Sequence, residues 1–159
     1  MKRLNLLLIL SLSFLLFTNC EKNIPSIPTE EQLLNTNAKE LFACLVNGEY
    51  WASNDISSSY SVTATTLNVE AYKESSHFIN FGGFVPEIGY HTLSGAVMRN
   101  HLCSYSESEI DTLVNAINIL RLDIEERLMI GTFEFVLEGS GNGCLDEIRI
   151  TEGRFKIPF

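Results

Sequence analysis

The chain has 159 residues, is 45% hydrophobic and 19% charged, and carries 20 acidic against 11 basic side chains, a net charge of −9. That length supports one domain around one core. Without Lys2 and Arg3, nine basic residues face twenty acidic ones, a net of −11, which argues against nucleic acid and anionic headgroups as partners.

The first segment, "MKRLNLLLILSLSFLLFTNC", has a positive start at Lys2 and Arg3 and an apolar run from Leu6 to Phe17. A run of about a dozen residues fits a signal peptide and is shorter than the ~20 needed to span a bilayer as a helix. "LFTNC" resembles a bacterial lipobox, although Phe17 and Asn19 stand where a small aliphatic residue and Gly, Ala or Ser are usual. Residues 1–19 are therefore expected to be a lipoprotein signal peptide and Cys20 the lipidation site. The implied address is the cell envelope, most simply the outer membrane, with acyl chains as the membrane partner; each buried methylene contributes ~0.8 kcal/mol to retention. Residues 20–40 read as a polar spacer, semi-extended around Pro25 and Pro28. Thr29 and Gln32 have capping-box spacing, predicting a short helix from Glu30 to Glu40.

Residues 41–159 alternate in the manner of strands. "LFACLV-NG-EYWAS" is a hairpin signature, because Asn47-Gly48 supplies the positive φ angles of a type I′ turn. Phe42, Cys44 and Val46 share one face, and adjacent Tyr50 and Trp51 must point to opposite faces; Trp51 is the one expected inside. Leu67, Val69 and Ala71 alternate with Asn68, Glu70 and Tyr72. "HFINFGGF" is a further strand with a turn or bulge at Gly82-Gly83, and "EIGYHTLSG" and "AVMRNHLCSY" are two more short candidates. "SYSESEID" reads as a loop. The next stretch is ambiguous: Leu113, Ile117 and Leu120 have helical spacing, yet Ile117, Ile119 and Arg121 alternate with Asn118, Leu120 and Leu122. Strand, polar turn at 123–126 and strand is the favoured assignment. After the glycine loop "EGSGNGC", "DEIRITEGRFKIPF" closes the chain as a strand. The fold class expected is all-β, an antiparallel sandwich or meander barrel of about eight or nine short strands.

Cys44, Cys103 and Cys144 remain after Cys20. An exported domain permits a disulfide, and three cysteines allow three single pairings. Cys44 falls within an apolar run and reads as a buried small hydrophobe. Cys103 and Cys144 both lie where strands meet polar loops and form the preferred pair.

Catalytic signatures are sparse. His77, His91 and His101 follow no metal-ligand pattern, and "HLC" (His101 to Cys103) lacks knuckle partners, so no metal and no cofactor is expected. "GSGNG" lacks the strand and helix of a nucleophile elbow. Glu125-Glu126 and Asp146-Glu147 sit in predicted turns rather than facing each other across a cleft. Neither "DIEE" nor "SESEID" matches a calcium loop. Binding has more support, since only one strand face can enter the core and some of Tyr50, Trp51, Tyr60, Tyr72, Tyr90 and Tyr105 must be displayed. Tyr50, Tyr72 and Tyr90 are the candidate ligand contacts.

"FACLVNGEYW", "LRLDIEERLMIGTFEF" and "ITEGRFKI" occur in that order and together resemble a family of small Bacteroidota lipoproteins whose domain has no assigned function. The likeness covers most of residues 41–159 and is thin over 54–110. It implies a mainly antiparallel β fold and an envelope lipoprotein, with no catalytic residues to carry over. The family often has Asp after its final Gly-Arg-Phe, where this chain has Lys156.

The leading expectation is a non-enzymatic, envelope-anchored domain that binds a protein, small molecule or glycan. The alternatives are a hydrolase built around His91, His101 and Cys103, and a structural subunit of an envelope complex, which would display a large apolar patch.

Overall fold

The computed structural model describes residues 25–61, 63–93, 95–107 and 115–159. Residues 1–24, Cys20 among them, 108–111 of the expected loop "SYSESEID", and Leu113 of the helical alternative lie outside the described residues, while 104–107 of that expected loop are strand instead. The fold is all-β: one antiparallel sheet, nearly closed into a barrel, with, among the described residues, one short helix on its outer surface.

Eleven strands are described: β1 (Leu41–Val46), β2 (Glu49–Ser53), β3 (Asp55–Ser61), β4 (Thr66–Glu74), β5 (His77–Phe84), β6 (Gly89–Thr92), β7 (Ala96–Asn100), β8 (Cys103–Glu107), β9 (Ala116–Asp123), β10 (Leu128–Ser140) and β11 (Glu147–Pro158). Their hydrogen-bonded order is β2-β1-β11-β10-β8-β7-β5-β4-β3, with β9 on β10 and β6 on β9. The count exceeds eight or nine because "AVMRNHLCSY" is itself a hairpin and β6 is a separate strand that pairs with β9 rather than β7.

β10 organises the sheet. One edge pairs with β11 along its length; the other carries β9 beside residues 128–134 and β8 beside 137–140. Asn115 sits at this fork, 1% exposed, and its Oδ1 accepts from the Val136 N–H at 2.8 Å. Its carbonyl accepts from the Leu93 N–H at 3.2 Å.

β2 and β3 are the two ends of the order, yet only Asn54 separates them. They are two halves of one bent strand, the first paired to β1 and the second to β4. Ser53 holds the bend: its hydroxyl donates to the Tyr72 carbonyl and accepts from the Asp55 N–H. Across the seam, the Ser58 hydroxyl donates to the Pro158 carbonyl at 2.6 Å.

Alternation fills the interior. Leu67, Val69 and Ala71 are fully buried, and Phe42, Phe81, Phe84, Phe133, Phe135 and Phe155 make its largest cluster. Burial drives the Cys44 thiol up to about 12, so it is an inert hydrophobe. Bulges shift the pattern in four places, at Lys73 in β4 and at the three that follow. Gly83 (φ +77) is an extra residue in β5, resolving Gly82-Gly83 as a bulge; a Cβ on Gly82 would run into the Asn68 side chain. Leu120 is bulged between the Gly131–Ile119 and Ile130–Arg121 pairs. Ile117 and Ile119 therefore face inward, but beyond the bulge Leu122 packs on the core while Arg121 is exposed. The last bulge is on β11, where Glu152 has φ +53.

The expected helix is present but shorter. α1 spans Glu30–Asn35, opened by a capping box in which Thr29 Oγ1 accepts from the Gln32 N–H and Gln32 Oε1 from the Thr29 N–H. It ends before Thr36, whose hydroxyl accepts from the Ala38 N–H and stabilises extended backbone there. α1 lies against β11 rather than standing free as spacer. Leu33 is fully buried, as are Ile130 and nearly Ala43, and none of the three belongs to the interior cluster. The Lys156 ammonium donates to the Thr36 carbonyl at 2.7 Å. Together these residues form a second, small core on the outside of the barrel.

Candidate functional site

Four hairpin tips gather at one end of the barrel: 47–48, 75–76, 101–102 and 141–146. The first is the Asn-Gly turn, with φ of 51° at Asn47 and 82° at Gly48. Asn47 also extends the ladder sideways: its Oδ1 accepts from the Arg149 N–H and its N–H donates to the Arg149 carbonyl, both at 2.8 Å. At the fourth tip Cys103 and Cys144 are disulfide-bonded, tying the β7–β8 turn to the glycine loop. Leu102 and Leu145 beside this staple are 95% and 58% exposed.

Between the tips lies a two-part cleft. One part, about 140 Å³, is lined by Tyr50, Trp51, Lys73 and His77; the other, about 370 Å³, by Asn47, Tyr105, Leu145 and Ile148. Val46, Glu49, Met98 and Asn100 line both, so the two parts adjoin. The floor is the upper surface of the core, since Trp51, Met98, Tyr105 and Ile148 are each at most 6% exposed. Barrel mouths are a preferred position for small-molecule sites, which combine apolar walls with a few convergent polar groups.

Trp51 faces inward and Tyr50 outward, as strand alternation requires. The indole is not a purely apolar wedge: its N–H donates to His77 Nε2 at 2.9 Å. That bond uses the imidazole lone pair and fixes His77 as the neutral ring protonated at Nδ1. Burial, followed by the neighbouring charges of Lys73 and His101, pushes the His77 pKa below its usual 6.5, with Glu74 opposing weakly. His101 stands 6.0 Å away between ring centres, and its Nδ1 lies 3.2 Å from the Ser76 hydroxyl.

The three candidate tyrosines do not converge. Tyr50 is on the mouth rim, 36% exposed. Tyr72 is on the outer face of β4, where its hydroxyl donates to Glu70 at 2.6 Å and its ring packs 5.5 Å from Phe78. The Glu70 carboxylate raises the Tyr72 pKa. Tyr90, 82% exposed, belongs to a separate cleft on the outside of the sheet.

The hydrolytic alternative is not assembled. Cys103 is in a disulfide, and His91 is on β6, outside the lining of either part of the mouth, donating from Nε2 to the Glu87 carbonyl at 2.7 Å. The Ser76–His101 pair has no carboxylate hydrogen-bonded to His101 among the described residues, so it lacks the third group that orients a catalytic base. Among the described residues no three His, Cys, Asp or Glu side chains are placed to hold a metal, and no helix is long and apolar enough to cross a membrane.

Sequence reasoning missed the His77–Trp51 bond and its closeness to His101. A usable signal was present: both histidines adjoin hairpin tips, and hairpins of an antiparallel barrel return their tips to common ends. No protein-family model, curated protein or solved structure matches the chain.

Proposed function

We propose that this chain is an exported, envelope-anchored lipoprotein whose barrel binds a ligand at its mouth and performs no chemistry. The observation that carries the binding reading is the concave, aromatic-floored mouth, to which β1, β2, β4, β5, β7, β8 and β11 all contribute. A floor of Trp51, Met98, Tyr105 and Ile148 beneath the polar rim of Glu49, Lys73 and Asn100 suits a small amphipathic group, its apolar part on the floor and its polar part at the rim. The anchoring reading rests on the positive start, the short apolar run and Cys20.

The anionic fluorophore anilinonaphthalene sulfonate tests the mouth. A single saturable site with energy transfer from Trp51, abolished by Met98→Lys at the floor in a variant that keeps its far-UV spectrum, is the expected result. Non-saturable binding, or binding indifferent to Met98→Lys, overturns the mouth as the site. For the anchor, Cys20→Ser should abolish acyl labelling and release the domain from membranes; unchanged labelling overturns lipidation.

A further inference from the structure

A second concavity, of about 450 Å³, lies on the outside of the barrel between α1 and the outer faces of β9, β10 and β11. Its floor has an order that the loops do not impose. Tyr90 pairs with Asn118, Asn118 with Thr132, and Thr132 with Arg154. These four residues form one straight rung across β6, β9, β10 and β11, and all four line the cleft. Strands lie about 4.8 Å apart, so the rung runs ~14 Å from an aromatic ring to a guanidinium.

The guanidinium end is unfinished. Arg154 Nη1 donates to the Gly153 carbonyl at 2.9 Å, while Nε is buried and has no hydrogen-bond partner among the described residues. Glu30 and Glu134 line the same cleft, yet neither comes within 4 Å of Arg154 as an ion pair. Nε has no exposed surface for a ligand to reach, so an incoming carboxylate would meet the Nη end of the guanidinium, and a carboxylate is the acceptor whose two oxygens match that fork. Between the two ends, Asn118 supplies an amide donor and acceptor and Thr132 a hydroxyl. At the far end Tyr90 offers a ring that is 82% exposed.

We propose that this rung is a binding site for the C-terminal end of a short, extended peptide. Its free carboxylate pairs with Arg154, its backbone amides hydrogen-bond to Asn118 and Thr132, and its fourth residue from the end packs on Tyr90. The length agrees, since an extended chain advances 3.3–3.6 Å per residue and four residues cover ~14 Å. Glu30 and Glu134 set the charge preference. They repel a polyanion and attract an amino terminus or a lysine, so the favoured ligand has one carboxylate and at least one positive charge.

The probes are tetra-alanine with both termini free, the same peptide amidated at its C-terminus, and the same peptide acetylated at its N-terminus. Amide chemical shifts of the purified chain report the outcome, with the Trp51 indole signal as a control for the mouth. The free peptide should move Asn118, Thr132 and the Arg154 side chain with a dissociation constant near or below about 1 mM. Amidation should weaken binding at least about tenfold, the loss expected when a charge-assisted hydrogen bond is removed. Acetylation should weaken it by a smaller factor. Arg154→Ala should abolish the shifts and Arg154→Lys should retain weak binding, both with the melting temperature of the parent. Equal binding of the amidated peptide, unchanged binding by Arg154→Ala, or no shift with any peptide overturns the proposal. So does binding of a uronic-acid disaccharide in place of the peptides. Movement of the Trp51 signal alone would place the peptide in the mouth and overturn the rung while leaving mouth binding standing.

Discussion

The mouth and the outer cleft are both concave, but they relate to the fold in opposite ways. The mouth's floor is the top of the core, so Trp51 and Met98 contribute to stability and to the shape of the site together. The outer cleft is built from outward-facing residues whose inward neighbours hold the barrel: Ile117, Ile119, Phe133 and Phe155 point in beside Asn118, Thr132 and Arg154. The lesson is that the mouth can change its specificity only within limits set by packing, whereas the outer rung can change with little effect on folding.

The largest test of that contrast removes their common support. Phe81 has five phenyl neighbours between 5.2 and 6.2 Å: Phe42, Phe84, Phe133, Phe135 and Phe155. Phe81→Ala should cost about 3–5 kcal/mol in denaturant unfolding and degrade both clefts. A loss below about 1 kcal/mol would show that the barrel does not depend on this cluster.

Replacing Cys103 and Cys144 together by Ser should separate the two sites. The bridge spans 41 residues, for which loop closure predicts about 4 kcal/mol, with strain and residual structure reducing the measured value toward 2. Hydrogen exchange should rise at 101–107 and 140–146 around the mouth and stay unchanged along the Asn118–Thr132–Arg154 rung. Uniform acceleration would break the distinction.

Leu33→Ala probes the opposite side. It should cost about 2 kcal/mol, the low end for a buried leucine, because a helix of six residues can shift to fill the gap. Protease cleavage within 25–40 should accelerate while Trp51 emission stays constant; a change in that emission would couple the outer core to the mouth.

The smallest expected effect is one of pH. His77 titrates below 6.5 in the folded chain and at 6.5 when unfolded, so the unfolded state takes its proton first as pH falls. Stability is therefore full above pH 6.5, declines as pH drops below it, and levels off under the folded value. His77→Gln keeps an acceptor for the Trp51 N–H and should flatten that segment of the stability curve. A curve already flat there in the parent would show that His77 is not depressed.

Local features of this fold could be read from sequence where one residue type has one physical use. Asn47-Gly48 made its turn, Thr29 and Gln32 their capping box, and Leu67-Val69-Ala71 its buried face, because each depends on neighbours within a few positions. Faces beyond Leu120 were misassigned for Arg121 and Leu122, since a single bulged residue reverses inside and outside with no compositional mark. The helix was extended to Glu40, but Thr36 turned the chain at once. The fork at Asn115, the β6–β9 pairing and the docking of α1 depend on long-range register. The mouth was legible in only one residue, Tyr50, and the outer rung only in Tyr90. Their other members share no spacing along the chain and meet only because antiparallel strands align.

Because β2 and β3 are two halves of one bent strand, the two ends of the main strand path face the structure's own β4 and β11 across the seam, and β6, which among the described residues pairs with β9 alone, is left as the free edge. An open sheet of this length would offer unpaired N–H and C=O groups on which a second copy could add a strand. Here the serine-rich β3 and the hydroxyl of Ser58 occupy that edge from within. The bend at Asn54 is in that sense a safeguard against self-association, and it would matter most where many copies are crowded on one surface.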